Sequence, residues 1–169
     1  ITKLKILQIL NKIKFMKKII CLLLLGISVV TATAQESELT SYYFIRHAEK
    51  DRSNPTDKNP HLTDKGQQRA EYWSAVFNAI EFDLIYSTNY KRTIETASPT
   101  AQQKGLVINY YEPNDLYNDD FKIKTKGKRT LIVGHSNTSP AFVNKILGTE
   151  KYPQISDSNN ANLYILTIF

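Results

Sequence analysis

Two short apolar segments of this sequence end directly in histidine, and they limit the fold more than any other feature. Residues 42–47 read YYFIRH, and residues 131–135 read LIVGH. Apolar runs of this length are typical of strands that are buried on both faces of a parallel sheet. Ligands bind beyond the carboxyl ends of such strands, so the polar residues at these ends are candidates for a binding or catalytic site.

The rest of the chain alternates between strand-like and helix-like segments. Strands are predicted at 41–46, 82–87, 106–111, 130–134 and 163–169, and helices at about 63–80, 90–104, 115–124 and 139–147. Thr63 is a candidate N-cap of the first helix. Pro99 lies inside the second helix, where its missing N–H predicts a kink or a break. The alternation favours an α/β fold of three layers (α/β/α), with a mainly parallel central sheet.

The net charge is +6 at pH 7, but its distribution argues against nucleic-acid binding. The first 34 residues contain six of the 22 basic residues and none of the acidic ones. From Gln35 onward, the remaining 16 basic residues equal the 16 acidic ones in number. We therefore expect no nucleic-acid partner, because the basic surface that such a partner requires is not concentrated in the predicted domain.

Residues 16–34 have the pattern of a secretory signal peptide. Met16 and two lysines precede about a dozen apolar residues, and the segment ends in an Ala-Thr-Ala sequence. The apolar run is shorter than the roughly 20 residues of a membrane-spanning helix. We therefore expect export to a periplasm or to the medium, with no stable membrane anchor after cleavage. The alternative is an amphipathic N-terminal helix on the mature protein.

This interpretation divides the chain into three parts. Met16 is the only methionine, so residues 1–15 are predicted to be an upstream extension. Residues 16–34 are the signal peptide, and residues 35–169 form a single domain. The only cysteine, Cys21, lies in the signal peptide, so the mature domain would have neither disulfides nor a thiol nucleophile.

Three predicted strands end in residues that suit an anion site. The strands end at Arg46-His47, at residues 87–88 shortly before Arg92, and at His135. In a parallel sheet these ends lie on one edge, which brings two guanidinium groups and two imidazoles together. Guanidinium groups offer paired donors that match phosphate oxygens, so the pattern predicts a phosphate pocket.

Other kinds of site have less support. The sequence has no Gly-rich nucleotide-binding loop and no Gly-x-Ser-x-Gly motif. The mature domain has three histidines and no cysteine, so it has few side chains that could bind zinc. His61 is interpreted as a loop residue rather than as a metal ligand. No metal or cofactor is therefore predicted. The structural alternative is that the arginines form ion pairs with nearby acids and the histidines only end strands.

Four ordered motifs resemble the histidine phosphatase (phosphoglycerate-mutase-like) superfamily. Residues 46–48 (RHA) are similar to its Arg-His-Gly signature, and residues 62–66 (LTDKG) to its Leu-Thr-x-x-Gly helix start. Residues 87–97 (STNYKRTIETA) resemble its Ser-x-x-x-x-Arg-Thr-x-x-Thr-Ala block, and residues 133–137 (VGHSN) its Val-Gly-His segment. Ala48 replaces the usual glycine, as in small phosphohistidine-phosphatase-like members. The resemblance implies a phosphoglycerate-mutase-like fold, and the short segment between strands three and four leaves no room for a sizeable cap.

The resemblance also implies roles for individual residues. His47 would attack phosphorus and carry a transient phosphohistidine. Oxygen atoms of the phosphate would be held by the residues Arg46, Arg92, His135, Ser136 and Asn137. The family's proton donor is an acid after strand three, and here Glu112, Asp115 and Asp119 compete for that role, with Asp115 favoured.

The predicted function is that of an exported, metal-independent phosphatase. Its substrate would be a small-molecule or peptide-borne phosphomonoester, hydrolysed through a phosphohistidine on His47. A catalytically weak phospho-ligand-binding module on the same fold is the main alternative, and a mutase is a third.

Overall fold

The computed structural model describes residues 11–18 and 39–169. Residues 11–18 are helical and exposed. Except for its first three residues, the predicted signal peptide, including Cys21, lies outside the described part of the chain. Within that part, no helix is both long and apolar enough to cross a membrane.

One five-stranded sheet lies at the centre of the domain, in the order β3-β2-β4-β1-β5. The strands are β1 Thr40–Arg46, β2 Leu84–Ser87, β3 Ile108–Tyr110, β4 Arg129–Gly134 and β5 Leu163–Ile168. The first four strands pair in parallel, whereas β5 runs antiparallel to β1 at the edge. The helices are α1 Asp64–Val76, α2 Lys91–Lys104, α3 Asp119–Thr125 and α4 Thr138–Leu147.

Helices cover both faces of this sheet, which confirms the three-layer α/β/α prediction. On one face, Ile45 of β1 and Leu131 of β4 pack against α1 and α2. On the other face, Phe44 and Ile132 pack against α3 and α4. Successive residues of a strand point to opposite faces, so only a strand buried on both sides has such continuously apolar sequence. These runs hold the two strand ends that carry histidine in fixed positions.

The start of α1 anchors the loop that follows β1. The side chain of Thr63 caps the helix and accepts a hydrogen bond from the Gly66 N–H at 3.1 Å. A Cβ atom on Gly66 would lie 2.2 Å from the carbonyl oxygen of Glu49. The loop backbone therefore packs directly against the first turn of the helix, and glycine is needed for this close approach.

Of the kink or break predicted at Pro99, the break does not occur, since α2 runs as one helix from Lys91 to Lys104. Ala97 and Ala101, on either side of the proline, are buried against the sheet. Burial of this helix face offsets the roughly 3 kcal/mol that an interior proline costs. The predicted ends of other elements shift as well: α3 begins at Asp119 rather than at 115, where Asn118 caps it, and β3 is only three residues long.

Candidate active site

His47 and His135 lie side by side because their strands are neighbours. Arg46, the last residue of β1, is paired with Gly134, the last residue of β4. The backbone N–H of His47 also donates to the carbonyl oxygen of Gly134 at 2.8 Å. The two imidazole ring centres are therefore 5.5 Å apart, at the carboxyl edge of the sheet.

The His47 side chain is buried and held in one orientation. The residue is only 4% exposed, and its Nδ1 atom lies 2.7 Å from the carbonyl oxygen of Ala48. A carbonyl oxygen only accepts hydrogen bonds, so Nδ1 carries the proton and Nε2 keeps a free lone pair. Burial, together with the nearby His135, Arg92 and Arg46, lowers the pKa of His47 to about 3. The imidazole is therefore neutral at neutral pH.

His135 connects the ends of β4 and β2. Its Nε2 atom lies 2.9 Å from the hydroxyl of Thr88, which directly follows β2. Its Nδ1 atom accepts a long hydrogen bond from the Arg92 guanidinium at 3.4 Å. Burial and then the positive charge of Arg92 lower the pKa of His135 to about 4. This histidine is also neutral, and its protonated Nε2 donates to Thr88.

Arg46 is almost completely buried, at 2% exposure, and is held by the loop that precedes β5. Its Nη1 atom donates to the carbonyl oxygens of Ser156 and Asn159 at 2.7 and 2.9 Å. Its Nη2 atom donates to the carboxylate of Asp157 at 2.9 Å. The same loop also binds the residue after Arg46, since the side-chain amide of Asn160 donates to the His47 carbonyl oxygen at 2.9 Å. These contacts fix the guanidinium plane.

Two guanidinium N–H groups of the site have no protein acceptor. The Nε atoms of both Arg46 and Arg92 are buried and have no hydrogen-bond partner within the described residues. The Arg92 guanidinium lies 4.4 Å from the centre of the Tyr90 ring, which supports it from one side. A buried donor without a partner costs about 1–3 kcal/mol. An anion in the cavity would remove this cost.

These groups surround a cavity of about 380 Å³. It is lined by Arg46, His47, Lys50, Tyr90, Arg92, Pro113, Asn114, His135, Ser136, Asn137, Thr138 and Asp157. Six of the residues that the sequence indicated for the site are therefore in one place.

Asp115 is not among the residues that line this cavity. It is exposed, and its carboxylate accepts a hydrogen bond at 2.9 Å from the side chain of Asn118, near the start of α3. The competing acids Glu112 and Asp119 are also exposed and absent from the lining, and Asp119 pairs with Lys122 at 2.9 Å. The segment after β3 instead presents Pro113 and Asn114 to the cavity.

Lys50 and Asp157 line the cavity, although the sequence patterns did not indicate them. Lys50 follows His47 by three residues, and nothing distinguished it from the other charged residues of its loop. Asp157 belongs to the polar loop at 153–162, which was predicted only as a connection. The antiparallel strand β5 begins beside the end of β1, with Leu163 paired to Ile45. The preceding loop is therefore placed at the carboxyl edge of β1.

The described residues contain no group of three or more side chains suited to a metal ion. His61 instead contacts the carboxylate of Glu95, whose other oxygen accepts the Leu62 N–H at 2.8 Å. His61 therefore lies in a loop outside the cavity, as its sequence context indicated.

Comparison with known proteins agrees with this geometry. A family model of the histidine phosphatase superfamily (branch 1) matches residues 42–114, which include Arg46, His47 and Arg92. A candidate phosphohistidine phosphatase SixA from Agrobacterium tumefaciens is similar in structure, with a TM-score of 0.53 and 24% identity over 64% of this chain and 77% of that one. No curated protein sequence matches the chain.

Two further solved structures share the fold at lower sequence identity. One is a mycobacterial hydrolase, with a TM-score of 0.60 and 13% identity over 76% of this chain and 91% of that one. The other is a phosphoserine phosphatase from Entamoeba histolytica in complex with 3-phosphoglyceric acid, with a TM-score of 0.54 and 17% identity over 66% of this chain and 81% of that one. The fold is phosphoglycerate-mutase-like, and Arg and His side chains cluster at the carboxyl edge of its sheet. Residues 42–114 of the chain match the model of the histidine phosphatase superfamily (branch 1), and part of the site lies at the strand ends that this match includes.

Proposed function

We propose that this protein hydrolyses phosphomonoesters through a phosphohistidine formed on His47, without a metal ion. The observation that carries the proposal is the state of His47: it is neutral, buried and hydrogen-bonded through Nδ1. Its Nε2 lone pair is therefore available at the edge of a cavity that also contains two arginines. Such a nucleophile divides one difficult hydrolysis into two easier steps.

In the first step, the Nε2 lone pair of His47 forms a bond to phosphorus while the ester P–O bond breaks. The unpaired Nε–H groups of Arg46 and Arg92 donate to the non-bridging oxygens. Donors that are already oriented stabilise the charge that develops there at no cost of reorganisation. The leaving oxygen takes a proton from solvent water, and the alcohol departs.

In the second step, water attacks phosphorus, the P–N bond breaks, and His47 regains its lone pair as inorganic phosphate leaves. Asp157 is the only carboxylate among the residues that line this cavity. The positive charges of Arg52 and Arg46 hold its pKa below the usual range, so it is ionised at neutral pH. As an ionised carboxylate it has no proton to donate to the leaving group, and it can only accept one from the attacking water.

The test of this function is hydrolysis of p-nitrophenyl phosphate by the full chain. We expect His47→Ala to lower kcat/KM by about a thousandfold or more, because the nucleophile is lost. His61→Ala is the matched control, since it removes an exposed histidine outside the cavity and should retain wild-type activity. Radiolabelled phosphate should be trapped on His47 after acid-free quenching. Activity that survives His47→Ala would contradict the mechanism.

The second candidate function is binding of phosphorylated ligands without turnover. It is favoured by the absence of a protonated carboxyl group among the residues that line the cavity. Calorimetry with inorganic phosphate and a free-phosphate assay separate the two functions, because a binding module would bind phosphate and release none from esters. A mutase would instead move phosphate between hydroxyl groups of one substrate without releasing it.

We also propose that the protein is exported. The support for this is the sequence of residues 16–34 alone. Mass spectrometry of protein from a cell fractionation should find a chain that begins at Gln35 in the periplasm or in the medium. A cytoplasmic chain that retains residues 16–34 would contradict export.

A further inference from the structure

A second cavity, of about 300 Å³, adjoins the phosphate cavity. The two cavities share three lining residues: His47, Lys50 and Asp157. The second cavity is otherwise lined by Glu49, Arg52, Lys65, Ser158 and Asn160. The second cavity therefore lies directly beside the candidate phosphate site, on the side of Lys50.

Positive charge exceeds negative charge around the two cavities. Their linings contain five cationic side chains but only two carboxylates. Both carboxylates already have close partners: Glu49 accepts two hydrogen bonds from Arg69 at 2.8 and 2.7 Å, and Asp157 accepts one from Arg46 at 2.9 Å. A phosphomonoester carries at most two negative charges, so it leaves part of this positive charge without a counter-charge.

Lys50, like Arg92, is a cation of these linings that has no carboxylate partner in the described part of the chain. It is partly buried and forms no ion pair with any described residue. Burial lowers its pKa, and the nearby cations Arg92 and Arg52 lower it further. An ammonium group in such surroundings is stabilised by a bound anion, because the anion replaces lost hydration and screens the neighbouring cations.

Two other cations extend this environment along the second cavity. Arg52 lies 3.5 Å from an oxygen of Asp157, and Lys65 lies 3.8 Å from an oxygen of Glu49. Both contacts are longer than the bonds that these carboxylates make to Arg46 and Arg69. The side chains of Arg52 and Lys65 are 56% and 75% exposed, so they have freedom to turn toward a ligand.

We propose that the substrate is a phosphomonoester with a second anionic group, and that Lys50, assisted by Arg52 and Lys65, binds that group in the second cavity. This proposal rests on the proposed function, because the second cavity would bind the part of the substrate that leaves as the alcohol in the same reaction. The second group is an oxyanion, either a carboxylate or another phosphate. Lys50 is then a specificity-determining residue, whereas His47 and the two arginines act on the phosphate that is transferred.

The experiment compares three esters of one chain length: propyl phosphate, its analogue with a terminal carboxylate, and propanediol bisphosphate. For the full-length wild-type chain we expect kcat/KM to be about tenfold higher for an anionic ester than for propyl phosphate. In Lys50→Gln this preference should fall to about twofold or less. Lys145→Gln, an exposed lysine on α4 outside both cavities, is the matched control and should keep the wild-type preference.

The outcomes separate the two proposals. Hydrolysis of all three esters at equal efficiency, or a preference that survives Lys50→Gln, would overturn the anion subsite and leave the phosphatase function standing. An equal loss of preference in Lys145→Gln would assign the effect to net charge and would also overturn it. Calorimetry with the same esters covers the case in which none of them is hydrolysed. Tighter binding of the anionic esters would then overturn the phosphatase function and keep the anion subsite. Equal binding of all three esters without hydrolysis would overturn both proposals. The carboxylate and bisphosphate arms show which oxyanion the subsite prefers.

Discussion

Acidification should destabilise this protein through its two buried histidines. The pKa values of His47 and His135 are about 3 and about 4 in the folded state, because burial and nearby arginines oppose protonation. In the unfolded chain a histidine titrates at about 6.5. Below that pH the unfolded state binds more protons than the folded state, so the free energy of unfolding decreases as the pH falls.

The size of the effect follows from the same values. Each histidine that stays neutral in the folded state costs about 1.4 kcal/mol for each pH unit below 6.5, down to its folded pKa. At pH 5 the two together should lower the free energy of unfolding by about 4 kcal/mol relative to pH 7. The loss begins near the pKa of the unfolded histidine, and it ends only below pH 4, where the folded histidines themselves become protonated.

The measurement is urea unfolding at both pH values in phosphate-free buffer, followed by the fluorescence of Trp73, the only tryptophan. His47→Gln and His135→Gln should each recover about half of the pH dependence. His61→Gln, which changes an exposed histidine, should behave like the wild type. The reasoning is refuted if the wild type loses less than about 1 kcal/mol, or if neither active-site variant differs from it in slope.

Three further substitutions test separate contacts. Gly66→Ala should lower the free energy of unfolding by about 1–3 kcal/mol, because the added Cβ meets the backbone of Glu49; a urea midpoint unchanged from the wild type would contradict the packing. Asp157→Asn should tighten inorganic phosphate binding about threefold in low-salt calorimetry, since it removes a negative charge beside Arg46; weaker binding would show that the carboxylate is needed to orient the arginine. Tyr42→Phe should cost about 1 kcal/mol in urea unfolding through its lost 2.7 Å hydroxyl contact with a buried threonine, and a gain in stability would contradict that hydrogen bond.

Much of the fold and part of the candidate site could be predicted from the sequence, because both depend on local chemistry. The apolar runs before His47 and His135 are short and continuous, so they are buried strands wherever they lie in the sheet. The parallel arrangement then places the residues after each strand on one edge, together with Arg92 in the first turn of α2. The acidic residues after β3 lie in a loop, where no regular spacing relates a residue to the sheet edge. The sequence therefore gave no basis for choosing among Glu112, Asp115 and Asp119 as the proton donor.

The tertiary structure decided which distant residues complete the cavity. Asp157 reaches Arg46 only because β5 is antiparallel to β1, so the chain enters β5 at the edge where β1 ends. Strand order and direction depend on packing across the whole sheet, and no local pattern of residues 153–162 reports them. Lys50 acquires its unbalanced charge in the same way, from the side chains that the fold places around it. The sequence alone determined His47 and the two arginines as the candidate site, whereas the tertiary structure determined the charges that surround them.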